Sequence, residues 1–354
     1  MKITNIEIEN QTIFQHAKLT CSNLNVIVGE NGSGKSHLLK MIYSILAVSA
    51  EEGRKHNATH PTKILLQTRL ADKLINVFRP EILGHLVRRK LKNRQRCKIS
   101  AFFDDQKLDI QFSFASQSRT EVVIDQLPSI WLDKHPVFLP TKELLTIYPN
   151  FVSVYENHYI EFDEIYRDTC IHLGALPIKN INETLLLKLL QPLEQGIGGQ
   201  IKLDKNGRFY LMMPKQKKME MPLVAEGSRK LAMLIQLIVN GALLNKGYLF
   251  WDEPEAELNP RLLKLIAETL FSLCENGIQV FIATHSLFLL RELEIFRQKT
   301  EYKQQSARFF ALEKHQDKVT IEQGNSIEEI DPIVMLDETM NQSDRYVEET
   351  WHNK

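Results

Sequence analysis

The chain has 354 residues, 43% of them hydrophobic and 25% charged, which suits a globular fold with a full core and excludes a disordered or fibrous one. Its 44 basic residues (Lys+Arg) equal its 44 acidic ones (Asp+Glu), so bulk charge draws it neither to nucleic acid nor to a membrane, and any such surface has to be local. Cys21, Cys97, Cys170 and Cys274 are scattered, without C-x-x-C spacing or a neighbouring His pair, which argues against a disulfide framework or a zinc site. Reduced thiols, no apolar run long enough to cross a bilayer and no signal-peptide core in Met1–Thr4 make a cytoplasmic protein the expectation.

Residues 2–9 alternate apolar Ile3, Ile6 and Ile8 with polar neighbours and read as a half-buried strand. After a polar turn, Asn25–Val28 forms a short apolar run stopped by Gly29. Leu38, Leu39, Met41, Ile42, Ile45 and Leu46 then repeat at helical spacing, so a buried strand runs through a glycine loop into an amphipathic helix. Residues 63–91 read as helical, interrupted near Arg79-Pro80. Four strands, Lys98–Phe103, Asp109–Phe114, Glu121–Ile124 and Val137–Leu139, follow with polar turns between them, as in an antiparallel sheet.

Residues 143–195 read as mostly helical, with Tyr148, Phe151, Tyr155, Tyr159, Phe162 and Tyr166 favoured as core rather than as a partner surface. Gln200–Leu203 and Phe209–Met213 form a hairpin around Asp204–Gly207, with Lys215, Lys217 and Lys218 on its flank. Gly227–Val239 is apolar nearly all round and reads as a buried helix. Tyr248–Trp251 is a strand, Asn259 and Pro260 cap a helix to residue 274, Ile278–Ala283 is another buried strand, and 307–313 and 318–321 are strands before an acidic tail. Helix and strand alternating at this spacing indicate a parallel sheet flanked by helices.

Gly29-Glu30-Asn31-Gly32-Ser33-Gly34-Lys35-Ser36 satisfies G-x-x-x-x-G-K-[ST] in full, between a strand and a helix. Backbone N–H groups must turn inward around a phosphate there, which favours residues without a Cβ, and the helix adds its N-terminal dipole. Lys35 is expected to reach the β- and γ-phosphates of ATP and the Ser36 hydroxyl to hold Mg²⁺. Tyr248–Trp251 ends in Asp252 and Glu253, placing one carboxylate beside the metal, acting through bound water. Glu253 is expected to face the γ-phosphate, as base or orienter for an attacking water.

With these residues a family resemblance becomes specific. Asp252-Glu253-Pro254 followed by Ala256–Pro260 resembles the Walker B and D-loop of ABC-type ATPases, and Ile282–Ser286 resembles their switch segment, with His285 at the histidine. Ala225–Lys230 stands where the family carries its LSGGQ signature, with Glu226 in place of the serine and Ser228 in place of a glycine. The resemblance implies an ATP-sandwiched homodimer or higher homo-oligomer, in which Glu253 and His285 of one chain and Gly227 and Ser228 of the other meet the γ-phosphate. A carboxylate facing a triphosphate is unfavourable, so either Glu226 points away or the contact is rearranged. A Q-loop is placed near Thr141–Glu143.

The separation of the two motifs by more than half the chain is similar to the SMC, RecF and OLD group, and within it to prokaryotic AAA-family ATPases of anti-phage operons. That implies an α/β fold: a P-loop NTPase, ABC-type head with a mixed sheet, an antiparallel side sheet and a helical insertion. The core is expected in residues 1–60 and 197–354, and 61–196 as inserted helices and strands. The absence of a long heptad pattern sets the chain apart from an SMC arm, and no TOPRIM-sized segment follows residue 290, so if a nuclease or toxin is involved it is expected to be another polypeptide.

The alternative is a RecF-like or SMC-like DNA-binding ATPase of repair or recombination, with nucleic acid contacted through the basic run Arg88–Lys98, which a solvated connector explains as well. A third class is a nucleotide-gated component with little turnover, suggested by Glu226. A GTPase is disfavoured because Asn245–Tyr248 lacks the guanine-reading Asp.

Overall fold

The computed structural model of the chain describes residues 1–56, 58–89, 95–158, 160–177, 183–244, 247–302, 306–316 and 318–352. The first half comprises β1 (Ile3–Gln11), β2 (Phe14–Thr20), β3 (Leu24–Gly29), α1 (Lys35–Gly53), α2 (Lys63–Phe78), β4 (Arg96–Phe103), β5 (Ile110–Ala115), β6 (Val123–Gln126), β7 (Pro136–Leu139), α3 (Phe151–Asn157) and α4 (Glu164–Leu173). The second comprises α5 (Glu183–Ile197), β8 (Gln200–Leu203), β9 (Phe209–Met213), β10 (Lys217–Glu220), α6 (Glu226–Val239), β11 (Tyr248–Asp252), α7 (Pro260–Glu275), β12 (Gln279–Thr284), α8 (Leu287–Gln298), β13 (Ala307–Lys314), β14 (Val319–Gly324) and α9 (Val334–His352).

Among the described residues the strands form three sheets. The central one runs β14-β13-β3-β12-β11-β7, parallel except for the edge strand β14. An antiparallel sheet β2-β1-β4-β5-β6 lies beside it, and β10-β9-β8 forms a small antiparallel sheet. This is the α/β, ABC-type head architecture with a mixed sheet and an antiparallel side sheet.

Alternation along the central strands sorts their side chains between two cores. Ile27, Phe138, Phe250, Phe281 and Phe310 face α1, α2 and the antiparallel sheet. Val26, Leu139, Leu249, Trp251, Ile282 and Phe309 face α6, α7 and α8. Phe250 stacks between Phe138 and Phe281, with ring centroids 6.1 and 5.0 Å away, tying three neighbouring strands together on the α1 face. Helix α1, buried along most of its length, is therefore clamped between two sheets.

Helix ends follow the local chemistry. Thr62 caps α2 by accepting from the Leu65 N–H, and the helix stops where Arg79 turns left-handed before Pro80. Asn259 caps α7 ahead of Pro260, accepting from the N–H groups of Arg261 and Leu262. The aromatic-rich stretch packs largely inward: Phe151 is buried and Tyr148, Tyr155 and Tyr166 lie against the same core, while Phe162 is exposed against expectation and Tyr159 falls outside the described residues.

Two expectations are corrected. Val137–Leu139 does not join the antiparallel strands; as β7 it pairs parallel with β11 at the edge of the central sheet. All four of its residues are buried, the unbroken apolar pattern of a parallel strand covered on both faces. The segment after β1 is not a plain turn but a hairpin, in which Asn10 and Thr12 take positive φ and β2 returns along β1. β7 belongs to the central sheet, while β1 and β2 pair into the sheet of β4–β6.

Candidate functional site

The central strands end level with one another. Val28 pairs with Thr284 and with Ala311, Asp252 with Ala283, and Trp251 with Leu139. Loops leaving the carboxyl ends of β3, β11, β12 and β7 therefore emerge at one rim, where open α/β sheets bind ligands. This long-range register brings Gly29–Ser36, Asp252–Glu253, His285 and Thr141–Glu143, far apart in sequence, to the same edge.

The glycine loop is built around positions that other residues would block. Gly29, Gly32 and Gly34 have φ of 154°, 76° and 93°. A Cβ on Gly29 would lie 2.6 Å from the Leu312 carbonyl oxygen, and one on Gly34 would lie 2.7 Å from the side chains of Ile13 and Phe14. Glu30, Asn31 and Gly32 form the exposed tip, and Ser33 is buried beneath them. Gly34 delivers the chain into α1 in a left-handed cap without a side-chain partner, so N–H groups at the helix start remain available to an anion. The buried Lys35 ammonium donates to the carbonyls of Gly29 (2.8 Å) and Glu30 (2.9 Å). Burial pulls its pKa below the usual lysine value, and Glu253 and Asp252 oppose that.

At the end of β11, Asp252 is buried and its pKa is raised, first by burial; a hydrogen bond from Ser36 and the Lys40 and Lys35 charges act the other way. Its Oδ1 and the Ser33 Oγ are buried without hydrogen-bond partners. Such orphaned oxygens are rare in a folded core. Asp252 and the Ser36 hydroxyl, which hydrogen-bonds to it, offer oxygen donors alone, which fits a hard divalent cation better than a soft one. Glu253 turns sharply, with φ of 50°, and its N–H donates to the Ala283 carbonyl (2.9 Å). Its Oε1 lies 3.4 Å from His285 Nδ1.

Two residues of this site carry no role in the sequence reading. Glu255 accepts through Oε1 from the Thr284 hydroxyl (2.7 Å) and the His285 N–H (2.8 Å). Lys230, buried in the first turns of α6, donates to the carbonyls of Glu253 (3.0 Å) and Ala256 (3.3 Å). Their signals are a third acid just past Pro254 and a lysine on the apolar face of a buried helix.

Gly227 packs the start of α6 against the same loop, where a Cβ would come within 2.3 Å of the Glu257 carbonyl oxygen. Ser228 is half-buried beside it. The half-exposed Glu226 carboxylate lies 4.0 Å from the Arg229 guanidinium, which also meets Glu143 at 3.1 Å. Glu143, in the segment expected to be a Q-loop, thereby reaches the signature-like helix. Of the basic run, residues 90–94 lie outside the described residues, Arg88 is buried, and Arg89, Arg96 and Lys98 are exposed. Lys217 and Lys218 belong to β10, Lys218 pairing with Asp204 at 2.7 Å; residues 245 and 246 lie outside the described residues. No described helix is long and apolar enough to cross a membrane.

Against known proteins, residues 24–291 match the family described as "AAA domain, putative AbiEii toxin, Type IV TA system". Among solved structures the chain resembles the SMC head domain from Thermotoga maritima, at 12% identity and a TM-score of 0.50, over 91% of this chain and 98% of that one. It also resembles an SMC head bound to the C-terminal winged-helix domain of ScpA, at 10% identity and a TM-score of 0.58, over 93% and 99% of the two chains. A third likeness, at 11% identity and a TM-score of 0.54 over 98% and 99%, is to a head domain with an extended coiled coil bound to the C-terminal domain of ScpA from Pyrococcus furiosus. At these identities the likeness is one of fold. No curated protein matches the chain.

Proposed function

The chain belongs to the AAA-domain family whose pattern spans its residues 24–291, a P-loop ATPase of the SMC-head type, and from that premise we propose that it binds ATP with Mg²⁺ and hydrolyses it. The observation that carries the reading is the common rim: a glycine loop opening a helix, a buried carboxylate with an unpartnered oxygen, and Glu253 beside His285. Gly29–Gly34 and the first turn of α1 cradle the phosphates through backbone N–H groups, and Lys35 trades its loop carbonyls for phosphate oxygens. Ser36 and Asp252 hold Mg²⁺, which neutralises phosphate charge when bound. Glu253 orients and deprotonates the attacking water, and His285 contacts the γ-phosphate.

Two chains sandwich two nucleotides in this reading, with Gly227 and Ser228 of one facing the γ-phosphate held by the other. The Glu226 carboxylate lies 4.0 Å from the Arg229 guanidinium on its own helix, an arrangement that leaves room for this contact. ATP binding then shifts an open-to-closed equilibrium, hydrolysis resets it, and the closed form controls a separate effector protein. We place that control in the cytoplasm and in anti-phage defence, supported by the toxin–antitoxin description of the family.

Phosphate release and solution mass, measured together, test the proposal. Glu253→Gln should lower turnover about 10²-fold or more while retaining ATP, and should accumulate as an ATP-bound dimer. Unchanged turnover would remove Glu253 from its role, and a mass insensitive to ATP would remove the sandwich.

A further inference from the structure

Glu255 is buried, lies three residues beyond Asp252, and is not needed to bind phosphate or metal in the scheme above. Its side-chain hydrogen bonds run to the switch segment, and its charge also acts on Lys230 of α6. One oxygen, Oε1, accepts from the Thr284 hydroxyl and the His285 backbone N–H, and stands 3.5 Å from His285 Nδ1. The Thr284 hydroxyl oxygen in turn accepts from the Ser286 N–H at 3.0 Å, so one carboxylate organises three consecutive residues. The other oxygen, Oε2, is buried with no hydrogen-bond partner. Leaving such an atom unpaired is costly in a folded core, which sets Glu255 apart from an acid that only fills a structural place.

The imidazole of His285 is half-exposed, and its Nδ1 edge faces carboxylate oxygens of both Glu253 and Glu255. Ionised carboxylates only accept hydrogen bonds, so a ring held between two of them presents a protonated Nδ1. Lys230 of α6 holds the carbonyls of Glu253 and Ala256, which bracket Glu255 in the chain. The loop carrying both acids is therefore pinned to α6, and the switch segment is pinned to the loop.

We propose that Glu255 is a positioning residue for turnover: it holds the Thr284–Ser286 segment and the Nδ1-protonated tautomer of His285 in register with Glu253. It acts through His285, without touching nucleotide, and this inference rests on the ATPase reading. A misplacement of about 1 Å at a reacting group is enough to cost about 10²-fold in rate.

The test is a double-mutant cycle in the full chain, with ATP affinity and turnover measured separately. Glu255→Ala should lower kcat about 10–100-fold and leave the ATP Kd within about twofold. His285→Ala should lower kcat at least as far, and adding Glu255→Ala to it should cost nothing more. Glu255→Gln keeps a carbonyl acceptor for Thr284 and His285 and should recover most of the rate. Additive losses, or a loss of ATP affinity that matches the loss of kcat, would overturn the proposal in favour of general loop stability. A readout independent of activity is the ¹⁵N spectrum of the His285 ring, expected to show a protonated Nδ1 in wild type and a tautomer mixture in Glu255→Ala. Identical spectra would overturn the contact. Should wild type hydrolyse no ATP at all, the ATPase reading fails, and the spectrum still decides whether Glu255 sets the ring.

Discussion

Two clusters of buried and half-buried acids touch helix α1, one near its middle and C-terminal half and one at its start, and they are built on opposite plans. In the first, Lys73 of α2 reaches Glu51 (2.7 Å), Glu164 (2.9 Å) and Asp168 (2.7 Å), while Tyr43 and Arg167 complete Asp168. In the second, Asp252, Glu253 and Glu255 have two lysines nearby, yet Lys35 and Lys230 both spend their hydrogen bonds on backbone carbonyls. The first cluster carries its own cation. The second leaves Asp252 Oδ1 and Glu255 Oε2 without partners and without a side-chain cation bonded to either acid, whereas in the first Glu164 leaves Oε2 unpaired but meets Lys73 through Oε1.

This difference separates a strut from a site. Glu51, Glu164 and Asp168 offer oxygens close enough together to hold a metal, but the Lys73 ammonium already lies among them. Burial alone would lower the pKa of Lys73, and the three carboxylates reverse that and hold it above the usual value. The cluster locks α1, α2 and α4 together. At the other cluster, burial of Asp252 is not offset, and its pKa stays raised.

Substitutions can break the contrast, beginning with the largest effect. Lys73→Met should destabilise the protein by about 3–5 kcal/mol, read as a lower denaturant midpoint, because it strands buried carboxylates. A loss under about 1 kcal/mol would mean that the cluster is hydrated and not a strut. Gly34→Ala should cost about 1–3 kcal/mol and weaken nucleotide binding, since its φ of 93° and its contact with Phe14 both resist a Cβ. Smaller and opposite in sign, Asp252→Asn should stabilise the nucleotide-free protein by about 1 kcal/mol in thermal melts while lowering turnover.

Acid sharpens the comparison further. Asp252 has a raised folded pKa, so its ionisation weakens the fold as pH rises through that value, and the advantage of Asp252→Asn should vanish as pH falls toward about 4. Asp168 is the reverse case. Burial would raise its pKa, but Lys73, Tyr43 and Arg167 hold it below the usual range, so its contribution is present above about pH 4 and lost as pH falls through the folded value. Melting curves between pH 3 and pH 7 (about the range of these carboxyls) should show the two differences moving in opposite directions.

Local chemistry made much of this molecule legible. The run Asn25–Ser36 carries its strand, loop and helix in its own residues, because tight turns demand glycine and buried strands demand apolar runs. The cap at Asn259-Pro260, the hairpin around Asp204–Gly207 and the strand ending at Asp252 are likewise short-range statements. The placing of β7 was not legible, since four apolar residues say how deeply a strand is buried but not which strand it pairs with. Nor were Lys73, Lys230 and Glu255, whose partners lie up to 95 residues away. The sequence by itself determined the phosphate loop, the paired acids and the α/β class, because each depends on neighbours along the chain. Only the tertiary structure decided which acids are paired and which are left open, because that depends on where distant cations and carbonyls come to rest.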